Sequence, residues 1–207
     1  IIEYSGVYTF PLKGELLEEV ISNSLKEIGI LSEWHAGSHK QGADIKTDSE
    51  IISVKSGKIK GKKDPKLSIS SFRTTKFETL EEKLNFIDGE GKNYDAYYVA
   101  TRKEEKKKKE LIKRTYTMYR FEADIFNVSA HKWKETYNKK GKHSGWKTKK
   151  KAGIHMAIKK SMSDQLWIYY DIFELKNNPK VYELFTIELD ACKLGKTHKI
   201  LPLNKED

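Results

Sequence analysis

Two short segments, Gly42-Ala43-Asp44-Ile45 and Ile52-Ser53-Val54-Lys55-Ser56-Gly57, bring a carboxylate, a hydroxyl and an ammonium into one stretch of chain. Between them, Thr47-Asp48-Ser49-Glu50 has turn formers at its centre, so the two segments are expected to pair as a hairpin with a two-residue turn. Pairing Thr47 with Glu50 sets Asp44 opposite Ser53 and Gly42 opposite Lys55. Side chains alternate across a strand, which puts Ser53 and Lys55 on one face and Ile52 and Val54 on the other. Such a trio suits hydrolysis of a phosphodiester. A divalent cation held by Asp44 neutralises the phosphate and activates a water, while the Lys55 ammonium assists that water or stabilises the pentavalent centre. Any hairpin with one polar face also produces a trio of this kind, so the surrounding elements carry weight.

Apolar residues Leu17, Val20, Ile21, Leu25 and Ile28 recur at helical spacing, predicting a helix over 15–28 that Gly29 stops. Residues 31–36, 43–47 and 51–56 read as strands. Phe72, Phe77, Leu80, Leu84 and Ile87 form the stripe of a second helix over 72–87, and 94–101 reads as a central strand. Strands are expected at 115–121, 125–128, 166–173 and 182–189, and a short helix at 154–160. The order predicts one domain of the α/β class, a mixed central β-sheet flanked by helices.

With these elements around it, the hairpin resembles the active-site hairpin of the PD-(D/E)XK nucleases, and especially of type II restriction endonucleases. The order helix, three strands, helix extends the resemblance over about residues 12–101. It implies a restriction-endonuclease-like catalytic core there, with 102–207 supplying basic DNA-recognition elements and the remaining strands. In the family, an aspartate ends one strand, an acid-x-lysine element lies on the next, and a glutamate from the preceding helix often completes the metal site. Here Ala43 stands where proline is frequent and Ser53 where the second acid usually lies, which removes a metal ligand. Some restriction enzymes likewise carry serine-x-lysine and recruit a helix glutamate. The implied metal ligands are Asp44, the Val54 carbonyl and such a glutamate; Lys55 assists the attacking water and Ser53 orients a metal-bound one. At about 100° per residue, Glu18 sits at the edge of the first helix's apolar stripe, whereas Glu15 and Glu19 fall opposite it. The spacing Gly14-xxx-Glu18 also resembles the family's helix, so Glu18 is the first choice. Glu19 and Glu15 stand behind it, Glu78, Glu81 or Glu82 of the second helix are a second source, and the ordinary reading of each glutamate is a solvated helix acid.

The chain has 207 residues, with Lys+Arg 40 against Asp+Glu 30 and a formal net charge of +10. All the basic residues but Arg73, Arg102, Arg114 and Arg120 are lysine, a bias that an AT-rich genome also explains. The excess is nevertheless uneven, which points to an acidic partner. A loop with Lys58, Lys60, Lys62, Lys63 and Lys66 follows the hairpin. Residues 103–114 mix lysines with Glu104, Glu105 and Glu110. The densest run, 139–151, holds Lys142, Lys147, Lys149 and Lys150 with Trp146 and reads as a loop that orders against phosphates. Ser70, Ser71, Arg73, Thr74 and Lys76 open the second helix, where hydroxyls and free amides serve either to bind phosphate or to cap. Asp164 and Gln165 have the chemistry to read cytosine and adenine edges, or to close a turn. Trp133, Trp146, Trp167 and Tyr169 offer stacking surfaces or core, and His39 lies near enough to the hairpin to approach a phosphate.

One cysteine, Cys192, excludes an internal disulfide framework and a cysteine-rich zinc site. No apolar run reaches the length of a membrane span, and residues 1–10 lack the pattern of a signal peptide, so a cytoplasmic protein is expected. The expected activity is that of a Mg²⁺-dependent type II restriction endonuclease, with Mn²⁺ as a possible substitute, acting on double-stranded DNA. A homodimer matches a palindromic site, and neither a membrane nor a nucleotide cofactor is expected. A junction or repair nuclease and a non-catalytic DNA-binding protein are the alternatives.

Overall fold

One ten-residue strand, β3 (Ile51–Lys60), belongs to every part of the architecture. The computed structural model describes residues 10–34, 43–61, 65–106 and 111–192. Before β3 come α1 (Glu15–Glu27), β1 (Ser32–Glu33) and β2 (Ile45–Thr47); after it come β4 (Lys66–Arg73) and α2 (Leu80–Gly91). The long hairpin β5 (Ala96–Lys106) and β6 (Leu111–Glu122) leads into β7 (Trp133–Tyr137), β8 (His143–Thr148), β9 (Ile154–Lys159) and β10 (Gln165–Asp171). A single-turn helix α3 (Ile172–Leu175) then precedes β11 (Val181–Cys192). The eleven strands form one sheet in the order β11-β6-β5-β3-β4-β10-β9-β8-β7, with β2 and β1 branching from β3. Among the described pairs, β3–β5 is parallel and the rest are antiparallel. The chain is thus a mixed α/β protein with a large mixed sheet and few helices.

Alternation along β3 feeds two cores. Ile52 and Val54 point to α1 and meet Leu17, Ile21, Ala100 and Met118. Ile51 and Ile59 point the other way, into the larger core of Leu67, Ile69, Ile87, Tyr97, Val99 and Phe121. α1 ends as the sequence predicts. Gly29 has φ +84, and the Ile30 and Gly29 amides donate to Leu25 and Lys26 carbonyls at 2.9 Å each, a Schellman closure.

Four expectations are corrected. The second helix starts at Leu80 rather than at Phe72, because residues 66–73 extend as β4 and pair with β10. The true N-cap is Thr79, closed by a capping box with Glu82. Phe72 still packs edge-on to Phe86, at 6.3 Å between centroids, so the apolar stripe mixed strand and helix residues that share a core. Residues 154–159 form a strand, not a helix: Ile154, Met156 and Ile158 are buried alternately, a period of two. Residues 123–126 form a 3₁₀ turn, not a strand. Asp88 stabilises the chain after it by accepting from the Val128 and Ser129 amides at 2.7 and 3.0 Å. Finally, the two basic runs are hairpins rather than loops: Lys58 and Lys60 lie on β3, and the run 139–151 contains β8. Trp146 anchors that strand in the core, and Gly145 is required there because a Cβ would lie 2.0 Å from the Ile158 carbonyl oxygen.

A buried ion pair fastens the two halves of the sheet together. The Lys83 side chain is 1% exposed, and its ammonium donates to Asp164 Oδ2 at 3.0 Å and to the Thr74 carbonyl at 2.9 Å. The Asp164 carbonyl in turn accepts from the Thr74 hydroxyl at 2.6 Å. Removing one partner strands the other charge in an apolar setting. Asp164→Ala is therefore expected to lower stability by about 3 kcal/mol, read from urea unfolding, whereas a surface change such as Asp48→Ala should have little effect.

Candidate active site

β5 occupies one edge of β3 over Ile52–Lys58. On the other edge, β2 pairs with β3 at Ile51 and Ile52, and β4 pairs with it at Lys58, Ile59 and Lys60. Residues 53–57 therefore face a gap where β2 and β4 diverge. The gap closes at Gly57, where β4 comes so near that a Cβ would stand 2.5 Å from Leu67 Cδ1 and 2.7 Å from the Ser68 carbonyl oxygen. Ile45 pairs with Ile52 and Lys46 with Ile51, and the Thr47 amide donates to the Glu50 carbonyl at 2.9 Å. That register is the one the turn predicts, and it brings Asp44 to Ser53.

Asp44 stands at the mouth of the gap. Its Oδ2 accepts from the Val54 amide at 2.6 Å, the Ser53 hydroxyl at 2.9 Å and the Lys55 ammonium at 3.3 Å. Lys55 also donates to Ser53 Oγ at 2.6 Å and to the Val54 carbonyl at 3.0 Å. The structure thus brings together Asp44, Ser53, Val54 and Lys55. Ser53 is 2% exposed, and its hydroxyl is occupied between the carboxylate and the ammonium. The ammonium spans the two oxygens, Asp44 Oδ2 and Val54 O, that the resemblance assigns to a metal ion; it stands where a cation belongs.

Glu18 approaches from α1. Burial raises its carboxyl above the ordinary value of 4.5, and the negative charge of Asp44 raises it further, against a lowering by Trp34 and Lys55. The Trp34 indole donates to Glu18 Oε2 at 3.3 Å, a contact that fixes the carboxylate. Burial pushes Tyr94 up to about 12, and Asp44 contributes there too. Among the other glutamates, Glu15 lies in the first turn of α1 and acts on Glu18 only as a weak charge. Glu82 is held in its capping box by Thr79, and Glu78 and Glu81 are exposed around it. Among the described residues no three His, Cys, Asp or Glu side chains gather as a metal cluster. The hard oxygens a Mg²⁺ ion would find here are those of Asp44 and the Val54 carbonyl, with the Glu18 carboxyl near enough to feel the charge of Asp44; such an ion commonly keeps several waters and takes one or two carboxylates.

The residues read as DNA contacts fall into two groups. Thr74 is fully buried and bonds Asp164, and the Gln165 amide donates to the Ser71 carbonyl at 3.1 Å, where it satisfies a bulge between β4 and β10. Both hold structure rather than facing a groove. Lys58 is paired with Glu104, Lys150 bridges Asp171 and Glu174, and Lys76 lies over Phe77 and Phe86. Lys60, Arg73, Lys142, Lys147 and Lys149 are exposed, and Ser70 and Ser71 are half-buried on β4. His39, Gly42, Lys62 and Lys63 lie outside the described residues. Trp34 was not legible as a site residue, since its only signal is its place after the strand that follows α1.

Comparison with protein-family models, with curated proteins and with solved structures finds no match to this chain. No described helix is long and apolar enough to cross a membrane.

The raised Glu18 carboxyl has a measurable sign. The fold favours its protonated form, so its contribution to stability is full below the ordinary value of 4.5 and is lost as pH rises through the raised value. Glu18→Gln stays neutral throughout. Its urea midpoint should gain on that of wild type between about pH 4 and about pH 7, and Mg²⁺ at the higher pH should stabilise wild type more than the variant. Parallel pH curves for the two proteins would show that Glu18 does not share a field with Asp44.

Proposed function

We propose that this protein is a Mg²⁺-dependent endonuclease that hydrolyses phosphodiester bonds of double-stranded DNA at a short sequence, in the manner of a type II restriction enzyme. The observation that carries the reading is the cluster in the gap beside β3, where Asp44, the Val54 carbonyl and Lys55 converge and Glu18 feels the charge of Asp44. A carboxyl whose ionisation is made costlier by burial and by a neighbouring carboxylate, as at Glu18, favours a cation close by. A bound Mg²⁺ supplies charge neutralisation at the phosphate and an acidified water. Asp44 and Glu18 would hold the ion, Asp44 being fixed by the β3 amide and Glu18 by the Trp34 indole. Ser53 holds the Lys55 ammonium beside Asp44. Lys55, released from the Val54 carbonyl, carries an ammonium to the attacking water or to the oxygens of the pentavalent phosphorus. A palindromic target would be met by two copies of the chain.

A second reading draws on Ser53, which leaves the site one acid short: a protein that binds duplex DNA without cutting it. Plasmid cleavage separates the two. Wild type with Mg²⁺ is expected to give discrete fragments from supercoiled and linear DNA, and Asp44→Ala and Lys55→Ala should each reduce the rate by at least about 100-fold. Discrete fragments formed equally by both variants would remove this mechanism, and DNA binding with no cleavage by wild type would favour the second reading.

A further inference from the structure

In the wing formed by β4, β10, β9 and β8, one face of the sheet is buried and the other is not. Leu67, Ile69, Trp146, Met156, Ile158, Leu166 and Ile168 fill the core on one side. The strand register places the alternate residues in rows across the opposite side. One row runs Lys134, Lys147, Ala157, Trp167, Ser70. A second runs Gly145, Lys159, Gln165, Arg73, and a third His155, Tyr169, Ser68, Lys58. None of these residues is acidic; the next row, Lys60, Lys66, Asp171, carries one acid, which Lys150 pairs. Lys134 and Lys147 are directly opposite each other and exposed, an arrangement that like-charge repulsion disfavours unless an anion lies over it. Lys134, Lys147 and Lys159 have no acidic partner among the described residues.

The aromatic rings on this face serve the lysines. Lys159 Nζ lies over Trp167 at 5.4 Å and over Tyr169 at 5.1 Å, and His155 stacks on Tyr169 with centroids 4.6 Å apart and planes 9° apart. The rings thus hold an ammonium in place and are not open for a base to stack on. Beside them, Lys66, Lys147, Lys149, Lys150 and His155, with Asp171 paired to Lys150, line a depression of about 440 Å³. Burial lowers the His155 pKa, and Lys66, Lys150, Lys147 and Lys159 lower it further, which marks a positive field across the face.

We propose that this face is where the phosphate backbone of duplex DNA docks, with Lys134, Lys147 and Lys159 as the principal phosphate contacts. Five strands spaced about 4.8 Å apart make a face about 19 Å wide, comparable with a duplex. The third row reaches β3 at Lys58, about 10 Å along the strand from Lys55 but on the α1 face of β3, with Ile52 and Val54, so a duplex on this face would meet the gap from the side of α1 and Glu18. The proposal rests on the nuclease reading for its choice of DNA, and deepens it by choosing duplex over single strand and by naming the face.

The test is fluorescence anisotropy of a labelled 20-base-pair duplex in EDTA, over a salt series, with plasmid cleavage in Mg²⁺ run in parallel. The combined variant Lys134→Gln, Lys147→Gln, Lys159→Gln is expected to flatten the log K against log salt slope by about 2 to 3, at roughly 0.9 per lost phosphate contact, and to weaken cleavage with it. A control variant with Lys13, Lys26 and Lys92 changed to Gln should keep the wild-type slope. Lys147→Gln alone, which leaves two contacts in place, should flatten the slope by about 1 and guards against a combined variant that fails to fold. Wild-type slopes in both the single and the combined variant, an equal loss in the control, or a single strand bound as tightly as the duplex would each overturn the proposal. If wild type never cuts but the slope still depends on these lysines, the nuclease reading fails and the docking face stands.

Discussion

A single carboxylate oxygen, Asp44 Oδ2, holds the start of β2 to the middle of β3 by accepting from a backbone amide, a hydroxyl and an ammonium of three successive residues. Hydrogen bonds to a charged acceptor are worth about 1.5–3 kcal/mol each, more than neutral ones. This matters because β2 pairs with β3 over only two residues before the strands part. The widening gap would otherwise leave the Val54 amide and carbonyl unpartnered, and Asp44 and Lys55 satisfy one each. The site is therefore also the joint of the fold. The groups available for chemistry complete the hydrogen bonding of a strand edge that the sheet cannot pair.

The same strand explains how the basic wing and the core come to share one sheet. β3 gives its first two residues to β2, its last three to β4 and its other edge to β5, so the site lies where three pairings meet. Tight packing at that junction is enforced by Gly57 against Leu67 and by the buried Lys83–Asp164 pair, which ties α2 to the turn before β10. A second ionic group sits across the sheet, where Glu104 accepts from Arg114 at 3.1 Å and pairs with Arg102 at 3.2 Å and Lys58. These hydrogen bonds, with Lys58 first among them, outweigh burial and hold the Glu104 carboxyl below its ordinary value. The consequence for function is that two of the four arginines serve the interior, and Arg120 is bound to Glu50 and Glu122. Arg73 remains as the exposed arginine on the basic wing, which leaves phosphate contact there largely to lysine.

What could be read from the sequence follows a physical pattern. The register of the Asp44 hairpin was legible because a two-residue turn leaves one pairing that puts Ile45 and Ile52 inside. α1 and its Gly29 stop were legible because periodicity and cap agree. The start of α2 was not, because Phe72 lies on a strand and packs beside the helix, so its spacing imitates one more turn. Residues 154–159 were misread because a six-residue apolar alternation is too short to separate strand from helix without its partners. The basic runs read as loops because charge masks alternation: in β8 one large apolar side chain, Trp146, and a buried threonine, Thr148, supply the strand's inward face. Thr74 and Gln165 carry groups that suit DNA, and nothing in the chain order shows that their partners are the Asp164 and Ser71 carbonyls.

Ser53 sharpens the physical account of the site. A carboxylate at this buried position would be desolvated beside Asp44 and within reach of Glu18, whose carboxyl is already raised by burial and by Asp44. A hydroxyl avoids that cost and takes both roles at once, donating to Asp44 and accepting from Lys55. The ammonium of Lys55 lies on Asp44 Oδ2 and on the Val54 carbonyl and so completes the cluster. On the proposed nuclease reading, a divalent cation taking those oxygens would compete with that ammonium, and a Lys55 freed from the Val54 carbonyl would then be a cation available at the gap.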